Sequence, residues 1–285
     1  MAAPKYAPVP TSEPVDGPSG PQNYYGAADP TSNYTRPPPS YNDDETLLRS
    51  GVPRSSEDNI PDDFKFGGMV SEGTLDIRQA FIRKVYAILT VQLAATAALS
   101  AACFWSTDFK AFIQTNTWMM ILSMLGSFIF LGLTYWKSRS YPMNLVLLSG
   151  FTLMEAYTVA VVTSFYDSRI VLQAVFITGA LFLALTLFAC QTSYDITAWG
   201  GYLYGALVGL VIFGFVGLFF QSSMLELVYS AGIAVVFSAY IMFDTQMIMR
   251  KCHVEEEIMA AISLYLDIIN LFLAILRILN SANDN

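Results

Sequence analysis

Residues 258–279 read IMAAISLYLDIINLFLAILRIL, a run of 22 residues in which only Asp267 and Arg277 are charged. At 1.5 Å per residue, a helix of that length reaches about 33 Å, enough to cross a hydrocarbon core of roughly 30 Å. A lone strand would leave its N–H and C=O groups unpaired in lipid, so a helix is the expected structure. Six further runs of similar length and hydropathy precede it, at 85–105, 118–136, 143–165, 170–190, 202–220 and 224–249. The connections between them are short, so successive helices are expected to run antiparallel. The fold class is therefore an all-α polytopic membrane protein, a bundle of seven transmembrane helices (residues 78–285) in contact with membrane lipid. Residues 74–84, TLDIRQAFIRK, read as a helical juxtamembrane lead-in to the first span.

The composition agrees. Only 13% of the 285 residues are charged, about half the share usual in soluble domains. Twelve of the thirteen prolines lie at or before Pro61, and residues 1–77 hold twelve Asp/Glu against five Lys/Arg. That region lacks the apolar content to offset chain entropy, so 1–77 is expected to be a disordered acidic tail. It contains no apolar run to act as a secretory signal. The acidity belongs to the tail and points to no nucleic-acid partner. Cys103, Cys190 and Cys252 are scattered and odd in number, which suggests neither a disulfide framework nor a metal site. No nucleophile–base pair, phosphate-cradling loop or zinc spacing is present, so neither an enzyme nor a cofactor is expected.

Basic residues near span ends set orientation. Arg78, Arg83 and Lys84 precede the first span, Lys137 and Arg139 follow the second, and Arg250 and Lys251 follow the sixth. With seven spans all of these fall on one side, which predicts a cytosolic N-terminus. The glycines of the fifth span, Gly205, Gly209, Gly214 and Gly217, and the small residues Ala231, Gly232 and Ala234 of the sixth are expected to permit close helix approach.

Three acids lie deep inside spans, where an ionised side chain costs at least ~2.5–3.5 kcal/mol. They are Glu155 in the third, Asp244 in the sixth and Asp267 in the seventh. In the seventh span Ser263, Asp267, Asn270 and Arg277 share one face. Tyr240 and Asp244 share a face of the sixth, with Thr245 and Gln246 beside them. In the third, Thr152 and Glu155 lie three residues apart. Lipid is the worst neighbour for such patches, so the three acids are expected to face one another inside the bundle. Two carboxyls in a dry site cannot both ionise cheaply, so the pair from the last two spans is expected to hold one proton. The protonated pair is a clasp. Deprotonated, it repels itself or binds a hard cation such as Ca2+ transiently through oxygen ligands. A neutral hydrogen bond that merely joins helices is the structural alternative, and for Glu155 it is as strong as a role in a pathway. His253 and Glu255–Glu257, in the hairpin between the last two spans, could gather cations, although a solvated loop explains them better.

Five strings carry a resemblance: FIRKVYAILTVQL (81–93), YPMNLVLLSGFT (141–152), FACQTSYDIT (188–197), IMFDTQMIM (241–249) and LYLDIINLFLAILRIL (264–279). Together they resemble the Bax inhibitor motif family, in its lifeguard branch and a fungal-like member. The resemblance covers residues 78 to about 280. It implies a seven-helix bundle around a central seventh helix. It also implies a pH-dependent Ca2+ leak that lowers stored Ca2+ and restrains cell death, while the DDETLL form in the tail (43–48) argues for a vacuolar or endolysosomal membrane rather than the endoplasmic reticulum alone. Asp244 and Asp267 match the family's paired-aspartate sensor. Bacterial members pair one such acid with an arginine at the end of the second helix; here Lys137 or Arg139 offers that charge. The family motifs assign no role to Glu155.

The tail carries two short motifs. Pro38, Pro39 and Tyr41 form a PPxY pattern, whose polyproline conformation suits the aromatic grooves of WW domains, found in ubiquitin ligases. Asp43, Leu47 and Leu48 belong to DDETLL, an acidic dileucine sorting form. These features favour a second reading, a non-conducting adaptor that acts on cell death or stress responses through a ligase or cell-death regulators. A proton-coupled exchanger would use the same acids.

Overall fold

The computed structural model describes residues 69–283, apart from Thr74, Arg139 and Gln221. Pro38, Pro39, Tyr41, Asp43, Leu47 and Leu48, and the disorder expected of the tail, fall outside the described residues.

Among the described residues eight α-helices follow in chain order: α1 Leu75–Trp105, α2 Thr107–Thr115, α3 Trp118–Trp136, α4 Met143–Ser164, α5 Ser168–Gln191, α6 Gly200–Gly217, α7 Ser223–Arg250 and α8 Glu257–Asn283. Two short 3-10 turns, Val70–Glu72 and Ile196–Trp199, precede α1 and α6. All helices except α2 are long and apolar enough to cross a membrane, and the described residues contain no named strand. The protein is thus an all-α polytopic membrane protein with seven spans.

The spans differ from expectation at several of their ends, with α8 running on to Asn283 rather than 279. The lead-in 74–84 is not a separate helix: α1 runs unbroken from Leu75, because no Gly or Pro interrupts 75–105. Its 31 residues reach about 46 Å, so it projects beyond the hydrocarbon core. A tail boundary at residue 77 consequently falls inside its first turn. The fifth span, α6, ends at Gly217 rather than residue 220.

α2 is an unanticipated element. Ser106 caps it by accepting a bond from the Phe109 N–H at 3.3 Å. Ile113, fully buried, joins Cys103, Ala160 and Val161 in a small second core, and the Gln114 amide donates to the Ser164 carbonyl at 2.9 Å. α2 therefore closes the end of the bundle opposite the start of α1.

α8 is the central helix. Of its most apolar stretch 72% is buried, against at most 39% for any other span. It packs on α7, α1 and α5, and it carries Leu264, Tyr265, Leu271 and Leu276 with no exposed surface. Amphipathic helices put polar faces outward in water; in lipid the most polar face finds the middle, and α8 presents both its apolar bulk and Asp267 inward.

Close approach occurs at fewer glycines than expected. A Cβ at Gly205, Gly209 or Gly217 would meet nothing within 4 Å, so these three do not serve helix packing. α6 is the least buried span, and Gly205 and Gly209 are exposed. Gly214 does sit tightly, with the Tyr229 hydroxyl 2.5 Å from where a Cβ would lie, and Gly150 of α4 faces the Phe130 ring at 2.6 Å.

Candidate functional site

α7 and α8 are joined by residues 251–256, and the hairpin turns tightly. Lys251 and Cys252 both donate backbone bonds to the Met247 carbonyl, at 2.8 and 3.0 Å. Glu256 fixes the entry to α8 by accepting from the His253 N–H at 3.0 Å. Glu257 pairs with Lys84 of α1 at 3.9 Å. Two of the three hairpin glutamates thus hold the corner together rather than standing open to solvent.

This corner sets α7 against α8 so that Asp244 and Asp267 meet. Their carboxyl groups lie within interaction reach of each other. Ionised carboxylates only accept, so a hydrogen bond between them would need a proton on one. Asp267 is 5% exposed, and its Oδ2 is buried without a hydrogen-bond partner. Tyr240, one turn before Asp244, lies within electrostatic reach of both acids and of Tyr204 on α6. Outside the spans, Cys252 is half-buried beside Glu256 and Asp244. Burial first, then the two acids, push its thiol up to about 12.

Of the other expected site residues, several lie elsewhere. Glu155 does not join the pair. Its carboxyl lies beside Ser127 on α3, because its face of α4 packs against α3 as well as α1. Asn270 turns back onto its own helix, donating to the Leu266 carbonyl at 2.8 Å. Lys137 is exposed at the end of α3, its ammonium 5.5 Å from the centre of the Trp136 ring. In this structure it does not stand beside the aspartates. Arg139 lies outside the described residues. Among those that are described, no basic side chain stands beside the two aspartates.

No group of three or more His, Cys, Asp or Glu among the described residues could hold a metal ion. Two carboxyls fall short of the six to eight oxygens that Ca2+ takes.

Two structural networks escaped the sequence reading. Gln246, with no exposed surface, accepts from the Ile196 N–H at 2.8 Å and donates to the Tyr194 and Ala189 carbonyls at 2.9 and 3.3 Å. It thereby binds the irregular stretch between α5 and α6 to α7, beside Asp244. Arg250 adds a bond to the Thr192 carbonyl at 3.3 Å. Deeper in the bundle, the Tyr265 hydroxyl bonds to Thr96 at 2.8 Å and the Gln92 amide donates to Thr152 at 3.1 Å. The signal for the first was a Gln in the IMFDTQMIM string; a buried amide always needs partners.

Fold and site together define a polytopic helical membrane protein whose most buried helix shares a carboxyl–carboxyl contact with its neighbour. The family described as inhibitor of apoptosis-promoting Bax1 matches residues 78–284. This chain belongs to that Bax inhibitor family. It is 42% identical over 226 residues to the Golgi anti-apoptotic protein of vaccinia virus (strain Lister), covering 79% of this chain and 95% of the viral one. Protein lifeguard 4 of Mus musculus is 40% identical over 233 residues, covering 82% and 97%. Bax inhibitor 1 of Schizosaccharomyces pombe is 36% identical over 269 residues, covering 93% and 98%.

Proposed function

We propose that this protein restrains programmed cell death as a pH-sensitive Ca2+ leak of an intracellular membrane, gated by Asp244 and Asp267. The anti-apoptotic names of the family and its relatives support the first part. The observation that carries the second is the close approach of the buried Asp267 carboxyl and the half-buried Asp244 carboxyl on adjacent helices. With one proton between them the two helices are clasped. When that proton leaves, two like charges remain in a dry site, and they either separate or are bridged by a hard cation. Asp267, on the central helix, takes part in both states. The basic residues at the start of α1 and the ends of α3 and α7 favour a cytosolic position for this end. The Golgi relative and the tail's sorting form favour an endomembrane, endoplasmic reticulum or vacuole among them. Ca2+ is cargo, and no catalytic step is involved.

Purified protein in Ca2+-loaded liposomes tests this. Leak is expected to rise with pH and to lose that dependence in Asp267→Asn. A leak of unchanged pH profile in that variant overturns the gate. Proton flux in fixed ratio to Ca2+ would mean exchange instead. The PPxY tail favours the adaptor reading, which predicts silent liposomes and ligase binding that disappears in Tyr41→Ala.

A further inference from the structure

The chain before α1 is built into the same corner as the aspartates. Val70 has no exposed surface and belongs to the main apolar core, as do Ile248, Val254 and Ile258 around the α7–α8 hairpin. Its backbone N–H donates to the Cys252 carbonyl at 2.9 Å, and Met69 forms an antiparallel bridge with His253. The 3-10 turn at Val70–Glu72 packs on both α7 and α1. Its close is fixed by the Gly73 N–H donating to the Val70 carbonyl at 3.3 Å. This arrangement is not what a tail merely leaving a membrane domain would adopt. A β-branched side chain is buried between two spans, and a backbone bond reaches the one loop that links them.

That loop stands directly over the gate. Cys252, whose carbonyl takes the Val70 bond, has its thiol within electrostatic reach of Asp244. On its other side the hairpin is tied to α1 through Lys84 and Glu257. Parting Asp244 from Asp267 requires α7 to move against α8, and residues 69–73 bridge the hairpin to α1 across that movement.

We propose that Met69–Gly73 is an intramolecular clamp: docked through Val70 on the α7–α8 hairpin, it holds the aspartate pair closed, and its release raises conduction. The proposal rests on the reading of that pair as a gate, and it makes the end of the tail a control element of the pore.

The test uses the full chain with Cys103→Ser and Cys190→Ser, so that Cys252 is the only thiol. Val70→Asp places a charge in the core and is expected to expel the strap. Val70→Ala weakens docking with less risk to folding, and Val70→Leu keeps it apolar. Two readouts are taken in liposomes: the alkylation rate of Cys252 and the Ca2+ leak at neutral pH. Val70→Asp should speed alkylation about tenfold or more, as expected for loss of a fully buried Val contact, and should raise the leak several-fold. Val70→Ala should fall between it and wild type, and Val70→Leu should match wild type. Should Val70→Asp misfold, the Val70→Ala step decides. Unchanged alkylation overturns the docking. Faster alkylation with an unchanged leak, where the pH dependence of the wild-type leak is still lost in Asp267→Asn, overturns the clamp and leaves the gate intact. No leak from wild type overturns the gate and with it the control of conduction, and alkylation then judges the docking alone.

Discussion

Replacing Gln246 by Leu keeps its side-chain volume nearly constant and deletes three hydrogen bonds. The Ile196 N–H loses a partner at 2.8 Å in a site where Ile196 is only 4% exposed. An orphaned buried donor of this kind costs about 1–3 kcal/mol. The Tyr194 and Ala189 carbonyls each lose a donor, at a net of about 0.5–1.5 kcal/mol apiece. Leu recovers part of this through its apolar surface, so a destabilisation of about 2–4 kcal/mol is expected. Unfolding of the purified protein in mixed micelles, titrated with a denaturing detergent, measures it. Thr245→Val serves as a neighbour control, since the Thr245 hydroxyl bonds to the Ile241 carbonyl of its own helix at 2.6 Å and lies beside Tyr86 of α1, away from the α5–α6 stretch. Gln246→Glu should be intermediate: it can still accept from Ile196 but, ionised, cannot donate. If Gln246→Leu unfolds within about 0.5 kcal/mol of wild type, a change typical of neutral surface substitutions, the α5–α6 stretch is not held by this side chain.

Three further outcomes are expected. Gly150→Val would drive a side chain into the Phe130 ring, 2.6 Å from the position of a Cβ, and should destabilise α3–α4 packing by about 1–3 kcal/mol in the same titration. Tyr265→Phe should cost about 1 kcal/mol: the Thr96 hydroxyl spends its hydrogen on the Gln92 carbonyl at 3.0 Å, so Tyr265 is the donor of their 2.8 Å bond. A Thr96→Val, Tyr265→Phe double variant should then be less destabilised than the sum of the singles. Alkylation of Cys252 should keep accelerating, about tenfold per pH unit, as pH rises toward about 12, because only the thiolate reacts and burial keeps the thiol protonated below that value. A plateau near the ordinary thiol pKa of ~8.5 would contradict its burial.

The number of spans was legible because lipid demands long apolar runs, and all seven were long enough to count. The two internal aspartates were legible for the complementary reason: a charge in an apolar run stands out, and α7 and α8 are linked by a hairpin too short to part them. Where each acid points was less so. Glu155 resembles Asp267 in sequence terms, yet its place on α4 brings it to Ser127 of α3, a fact about helix packing that no local pattern encodes. Gly205, Gly209 and Gly217 show the same gap, since small residues allow close approach without requiring it. Gln246 was hidden differently. Its partners are backbone groups of an irregular stretch, and backbone groups leave no residue pattern to read. α2 escaped notice because nine residues are too few to cross a membrane, and the reading weighed runs by length.

That short helix bears on how the protein can be handled. A connecting loop between spans is the usual choice for an epitope tag or a reporter, because its tip tolerates extra residues. Here the connection from Ser106 to Thr117 carries Ile113, which has no exposed surface, so an insertion there would pull a stopper out of the bundle. The turn at Tyr166–Asp167 emerges on the same side, and Asp167 is exposed. A label placed at that turn would report from the same compartment while leaving the stopper seated.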